Sequence, residues 1–462
     1  PFDQNTHADW FDPEWMFGVK DGFNIVIGNP PYLEARSPEF SDQMKEEAQR
    51  SCAFRWGNDS KYIKRGSDLL IYFFELGIYL LSERGILVFV TQNSWLDTDY
   101  GKNFQHFLIL HTNVRAIIDS DFKYFNSQDG PNINTVISIF TGKKACETNV
   151  VIFARFHENF GKASGSVLSS ITLLPSEIEN KQVSYRDDIL KSFKWGTLLC
   201  APPEVLEIFS IVEAEGQKLD ELPYGISIGQ GLNLKKSFIV REDNKNKFSF
   251  LKDAHLIPFM TSEDGAPFVL HKTRNFIING SQLESDKIQK LKHAGIDIFR
   301  KEATTKSAPV LIMPRGVSRH FCANNEVGAY SSSGVDIYCD REDLPEEIRL
   351  NLWLFLNSSL AWLIREFTGR KNLGGGLLKA EATDIKSIPI YFEYGKADEI
   401  KKIYEELKHR EALSTIEEVD SQEHKKIDAI VFNHLKISKN MSLKLVNLLK
   451  KHILGRIAKA RT

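Results

Sequence analysis

The segment Gly22–Tyr32, GFNIVIGNPPY, constrains what this chain can fold into more than any other stretch. Phe23–Gly28 is a short apolar, β-branched run of the kind that becomes a buried strand. Asn29-Pro30-Pro31-Tyr32 stops it abruptly. Each proline lacks an N–H for a ladder and holds the residue before it extended. Strand and helix signals then alternate. Asp68–Ser82 carries apolar residues at helical spacing, and Ile86–Thr91 reads as a second buried strand. Arg115–Asp119 and Thr135–Phe140 read as two more strands, with a polar loop, Asp121–Asn134, between them. This alternation predicts an α/β unit over residues 1–150.

Two rigid acceptors beside a flat ring suit one chemistry well. The exocyclic amine of adenine is a poor nucleophile because its lone pair is delocalised into the ring. Acceptors aimed at both N6 hydrogens would localise that lone pair toward an incoming methyl group. Asn29 offers its side-chain carbonyl and Pro30 its main-chain carbonyl, both preorganised by the prolines. Tyr32 offers a face on which an unstacked base can lie. A rigid turn with no chemistry is the alternative reading, and the strand before the motif and the helix and strand after it favour catalysis.

Pro1-Phe2-Asp3 with Gly22–Tyr32, Asp68–Leu81, Gly85–Leu96 and Asp121–Phe140 together resemble the second half of the catalytic domain of gamma-class adenine-N6 DNA methyltransferases, the enzymes of Type II and Type IIG restriction–modification systems. The resemblance implies a partial Rossmann-like methyltransferase sheet that uses S-adenosyl-L-methionine. It implies catalytic roles for Asn29, Pro30 and Tyr32, and stacking of Phe125 on the other face of a flipped adenine, with Phe122 and Tyr124 as rivals. It also implies that Asp68 and Leu69 border the cofactor's adenosyl group. Such enzymes flip the target base out of the duplex. The family's glycine-rich cofactor turn lies upstream of the catalytic tetrapeptide, and only 28 residues precede Asn29. The expectation is therefore an unpaired sheet edge at Phe23–Gly28, weak cofactor affinity, and a missing N-terminal segment or second chain that supplies the rest. Asp119-Ser120-Asp121-Phe122-Lys123 superficially resembles a nuclease pattern but falls in the methylase-like loop.

Residues 151–215 read as a connecting region. From 216 to 395 short strands and Gly/Pro/Asn turns prevail, predicting a β-rich α+β domain with an internal helix at Pro345–Phe367. Gly225–Gly231, Pro309–Gly316, Leu356–Leu360, Gly369–Lys379 and Ile385–Ile390 resemble, more loosely, the family's target-recognition region. A reader of double-stranded DNA needs Arg, Lys, Asn and Gln on loops that reach a groove. The candidates are Gln230, Asn233, Lys235, Lys236, Arg315, Arg319, Arg370, Lys371, Asn372 and Lys379. Residues 396–462 form a helical tail whose last part, from 431, holds eight Lys/Arg and no Asp/Glu. That asymmetry is hidden in a net charge of −2. Five scattered cysteines without a CxxC pair predict neither disulfides nor zinc, and suit a reducing cytoplasm. No apolar run reaches the ~18 residues of a membrane helix. The sequence thus points to a site-specific adenine methyltransferase. The alternative is a DNA-binding specificity subunit that keeps the tetrapeptide as a relic. A nuclease in the full-length protein, if any, is expected upstream.

Overall fold

The first 206 residues of the chain form one compact unit and residues 207–462 a second. The computed structural model describes residues 11–120, 134–142, 146, 148–156, 178–184, 190, 194–222, 224–300, 307–339, 344–369, 378–386 and 388–459. Among these, no helix is long and apolar enough to cross a membrane.

In the first unit the alternating pattern becomes a six-stranded mixed sheet in the order β1-β2-β4-β3-β5-β6. Its strands are β1 (Phe23–Gly28), β2 (Leu81–Gln92), β3 (Asn113–Ser120), β4 (Thr135–Thr141), β5 (Val150–Phe156) and β6 (Ile178–Ser184). β1 runs parallel to β2, and β4 runs antiparallel between β2 and β3. β5 and β6 continue this sheet from the stretch read as a connection. β1 stands at the sheet's edge among the described residues.

The described helices of this unit include α1 (Pro13–Phe17), which buries no residue, α2 (Asp42–Trp56), α3 (Leu69–Leu80), α4 (Asp99–His111) and Trp195–Cys200, whose Trp195 is fully buried. Phe74 of α3 packs on Phe89, Trp95, Phe104 and Phe140 at centroid distances of 5.1–5.6 Å, which seals one sheet face. α3 has few polar residues, but Glu75 is one and is fully buried. It accepts from Arg55 Nε and Nη2 at 2.6 Å each and from Trp56 Nε1 at 2.5 Å, which locks α3 to α2. The opposite sheet face follows from strand alternation. It carries Ile25, Ile27 and Ile86 at 65%, 75% and 42% exposure, so apolar side chains there remain in contact with water.

The second unit combines short strands with helices. A five-stranded sheet contains Ser227–Gln230, Gly334–Tyr338 and Leu311–Pro314 as neighbours, and a four-stranded sheet holds Leu256–Met260 and Asn275–Ile278. The internal helix expected at Pro345–Phe367 is two helices, Glu346–Leu356 and Ser359–Thr368. The break falls at Asn357 and Ser358, where the Ser358 hydroxyl caps the second helix by accepting from the Ala361 N–H. Beyond 396 the chain is helical as expected: Ala397–Leu407, Gln422–His434 and Lys439–Lys459.

Candidate functional site

β1 delivers the tetrapeptide beside the far end of β2. Gly28 pairs with Phe89, and a Cβ on Gly28 would stand 2.9 Å from the Phe89 ring. Glycine is thus what lets the strand close on β2 just before the motif. Pro30 is buried, Tyr32 half-buried, and Asn29 and Pro31 exposed. The Tyr32 hydroxyl donates to Asn29 Oδ1 at 2.6 Å. Burial raises the Tyr32 pKa, so the phenol stays a donor. The motif is therefore closed on itself: its tyrosine fixes the carbonyl of its asparagine. That oxygen keeps a second lone pair for an amine.

Asp68 stands just before the first residue of α3 and is 7% exposed. Its Oδ1 accepts from the Ala35 N–H at 2.9 Å. Its Oδ2 accepts from Gln92 Nε2 at 3.0 Å, from Ser94 Oγ at 3.2 Å and from the Tyr100 hydroxyl. The Leu69 N–H donates to the Leu33 carbonyl at 3.0 Å. The three residues after Tyr32 are thus tied to the start of α3, and Asp68 ties that point to the end of β2 and to α4. Burial and the Asp68 charge both push the Tyr100 phenol upward, which keeps its proton on the oxygen. Gln92, Ser94 and Tyr100 were not singled out from sequence. Gln92 and Ser94 lie in the TQNSWL stretch just past a predicted strand, which is the signal that could have found them. S-adenosyl-L-methionine would meet little open polar surface here. Four protein donors already share the Asp68 carboxylate, and Leu69 offers an apolar flank. These two residues fit contact along one edge of an adenosyl group rather than a full cradle. Phe125 lies outside the described residues.

Among the described residues, no cluster of His, Cys, Asp and Glu could hold a metal ion.

In the second unit the expected DNA-contacting residues separate into groups. Asn233, Lys235 and Lys236 are exposed on the loop after Ser227–Gln230. Arg319 stands apart, donating to the Ala412 carbonyl at 3.2 Å. Arg370, Lys371 and Asn372 lie outside the described residues. Gln230, Arg315 and Lys379 come together on one carboxylate, Glu381, an acid that the pattern of cations and amides does not single out. Gln230 Nε2 donates to Glu381 Oε2 at 2.8 Å. Arg315 donates through Nε to Oε2 and Nη2 to Oε1, both at 2.9 Å, and Lys379 Nζ lies 2.8 Å from Oε1. Burial works against the charge on Glu381, but Arg315 and Lys379 outweigh it and hold its pKa at about 2. The tail's Arg456 is no surface cation: it is buried against Glu366 at 2.8 Å.

No curated protein sequence matches the chain. Among solved structures it is similar to MmeI, described as a type IIL restriction-modification enzyme in complex with DNA. That similarity has a TM-score of 0.54 at 13% identity, over 94% of this chain and 57% of the other. It is also similar to BpuSI, a type IIG restriction endonuclease, with a TM-score of 0.45 at 12% identity, over 95% of this chain and 55% of the other. The chain thus spans a little over half the length of either. Residues 2–125, which include the Asn29–Tyr32 motif and the Asp68 network, match the family model described as Eco57I restriction-modification methylase.

Proposed function

We propose that the chain is the adenine-pocket and DNA-reading part of a site-specific DNA methyltransferase that modifies N6 of adenine in a restriction–modification or phage-defence system. The observation that carries this reading is the rigid pair of acceptors at the end of β1, the Asn29 side chain and the Pro30 carbonyl, steadied by Tyr32 and by the Asp68 tie. The match of this segment to a restriction-modification methylase family supports it.

In this reading a target adenine is flipped from the duplex and lies against Tyr32, which offsets part of the roughly few kcal/mol cost of unstacking. Asn29 Oδ1 and the Pro30 oxygen accept from the two N6 hydrogens, and the nitrogen lone pair then points at the methyl donor. S-adenosyl-L-methionine supplies an electrophilic methyl group when bound. Asp68 and Leu69 border its adenosyl side, with the Asp68 carboxylate committed to holding the loop. Phe125 is the proposed second stacking partner of the base. In the second unit, Gln230, Arg315 and Lys379, with Asn233, Lys235, Lys236, Arg319, Arg370, Lys371 and Asn372, are the proposed DNA contacts.

The test is methyl transfer from labelled S-adenosyl-L-methionine to unmethylated genomic DNA, with wild type and Asn29→Ala. At saturating S-adenosyl-L-methionine, which the weak affinity expected of this chain makes necessary, we expect N6-methyladenine with wild type and a loss of about 100-fold or more with Asn29→Ala at unchanged DNA affinity. Salt-dependent DNA binding with no transfer by wild type would favour the alternative instead, a DNA-binding specificity subunit or a recognition-competent fragment that needs a partner for cofactor binding.

A further inference from the structure

We propose that Glu381 is a positioning residue for sequence recognition: it holds the Arg315 guanidinium in one plane so that its free edge reads a guanine in the target duplex. This rests on the DNA-reading role proposed above for the second unit.

The geometry distinguishes the part each residue plays. A carboxylate offers about four acceptor positions. Glu381 uses them on Gln230, on two nitrogens of Arg315 and on Lys379. It therefore has no acceptor to spare for a base, and its side chain is only 12% exposed. Arg315 is different. A guanidinium carries five N–H donors in a planar fork. Glu381 takes the Nε–H and one Nη2–H. The Nη1–Nη2 edge remains, with two parallel N–H bonds pointing away from the carboxylate. That is the fork that matches O6 and N7 of guanine in the major groove. The Arg315 side chain is 32% exposed against 12% for Glu381, so Arg315 is the more accessible member of the pair.

The backbone around the cluster is also fixed. Gln230 ends a strand paired to Val335, Lys379 pairs with Gly316, and the Ala380 N–H donates to the Arg315 carbonyl at 2.9 Å. Glu381's own N–H donates to Asp384 Oδ2 at 2.9 Å. Segments 151 positions apart in sequence thus meet at one carboxylate. An arginine held this way loses little freedom on binding, which is what a specific contact needs. With Lys379 beside it the cluster remains net positive, as an approach to phosphates requires.

The test is selection from a randomised duplex library by the full 462-residue chain, in wild type, Glu381→Gln and Arg315→Lys, with affinity for random-sequence DNA measured alongside. Arg315→Lys keeps the charge and removes the planar fork. We expect a wild-type consensus with a guanine whose preference falls roughly 10- to 100-fold in both variants. The other positions should persist, and random-sequence affinity should stay within about twofold for Arg315→Lys, since phosphate attraction depends on charge. If the wild type selects a consensus and both variants keep every position of it, the proposal is overturned, because Glu381 is then only a structural tie. If Glu381→Gln fails to fold, Arg315→Lys alone decides by the same criterion. A wild type that binds DNA with no preference at all would instead overturn the DNA-reading role on which the proposal rests.

Discussion

Replacing Asp68 tests whether the tetrapeptide is held from behind. Asp68→Ala removes the acceptor for four donors at once. One of them can find relief, because Ser94 Oγ and the Tyr100 hydroxyl lie 3.2 Å apart and one can donate to the other. The Ala35 N–H is fixed main chain and Gln92 Nε2 is buried, so both are stranded. An unsatisfied buried donor costs about 1–3 kcal/mol, and the lost bonds were to a charged group. The sum is about 3–5 kcal/mol. Asp68→Asn should cost about half of that, because an amide oxygen can still serve Ala35 while the two hydroxyls turn to accept from its nitrogen. At about 2–4 °C per kcal/mol for a unit of this size, Asp68→Ala lowers Tm by roughly 10 °C. The assay is thermal unfolding together with hydrogen exchange at Ala35, whose amide should lose protection even where the unit stays folded. An Asp68→Ala protein with wild-type Tm and a protected Ala35 amide would refute the reasoning. Asp68 would then serve a ligand rather than the loop.

Other outcomes follow from the same kind of accounting. Glu75→Ala leaves the Arg55 guanidinium partly buried without its carboxylate and should cost about 3–5 kcal/mol, read as a shift in urea midpoint. Gly28→Ala pushes a methyl against the Phe89 ring and should cost about 1–3 kcal/mol in thermal stability, with methyl transfer impaired because the motif itself is displaced. Acid should weaken the second unit in a defined window. Full burial lowers the His320 pKa to about 4, with Glu366 pulling the other way; the unfolded value is about 6.5. A depressed histidine contributes stability that is complete above about 6.5 and is lost as pH falls toward 4, on the order of 3 kcal/mol. Urea titrations at pH 7, 5 and 4 check this. The slope should flatten in His320→Gln, with the remainder due to His424, which burial also lowers.

Local pattern carried the first unit's elements well. The β-branched run at Phe23–Gly28 and the apolar spacing of Asp68–Ser82 are properties of neighbours in sequence, and both appear as a strand and a helix where expected. What lies between strands in space is not local. Nothing in Thr135–Thr141 says that it runs antiparallel between β2 and β3, because that depends on where the chain returns. The break at Asn357 and Ser358 was missed because the apolar spacing continues almost in phase across it. The motif's chemistry was legible in Asn29, Pro30 and Tyr32, but the Tyr32–Asn29 hydrogen bond and the tie to Asp68 depend on side-chain directions that spacing does not fix. Glu381 and Arg456 show the same limit for charge. An acid within a basic stretch and a base in a basic helix look like surface residues until their partners, in one case 151 positions away and in the other 90, are brought beside them.

The Arg456–Glu366 pair has a consequence for how the protein is made. Glu366 has no exposed surface, and of the groups that satisfy it, His320 is already in the chain when Glu366 is synthesised, whereas Arg456 arrives 90 residues later. Until then the helix Ser359–Thr368 carries a buried acid with one neutral partner and cannot settle into its final packing. A unit beginning near residue 207 therefore finishes folding only once residue 456 has left the ribosome. The first unit precedes it in sequence, and translation order gives it a head start.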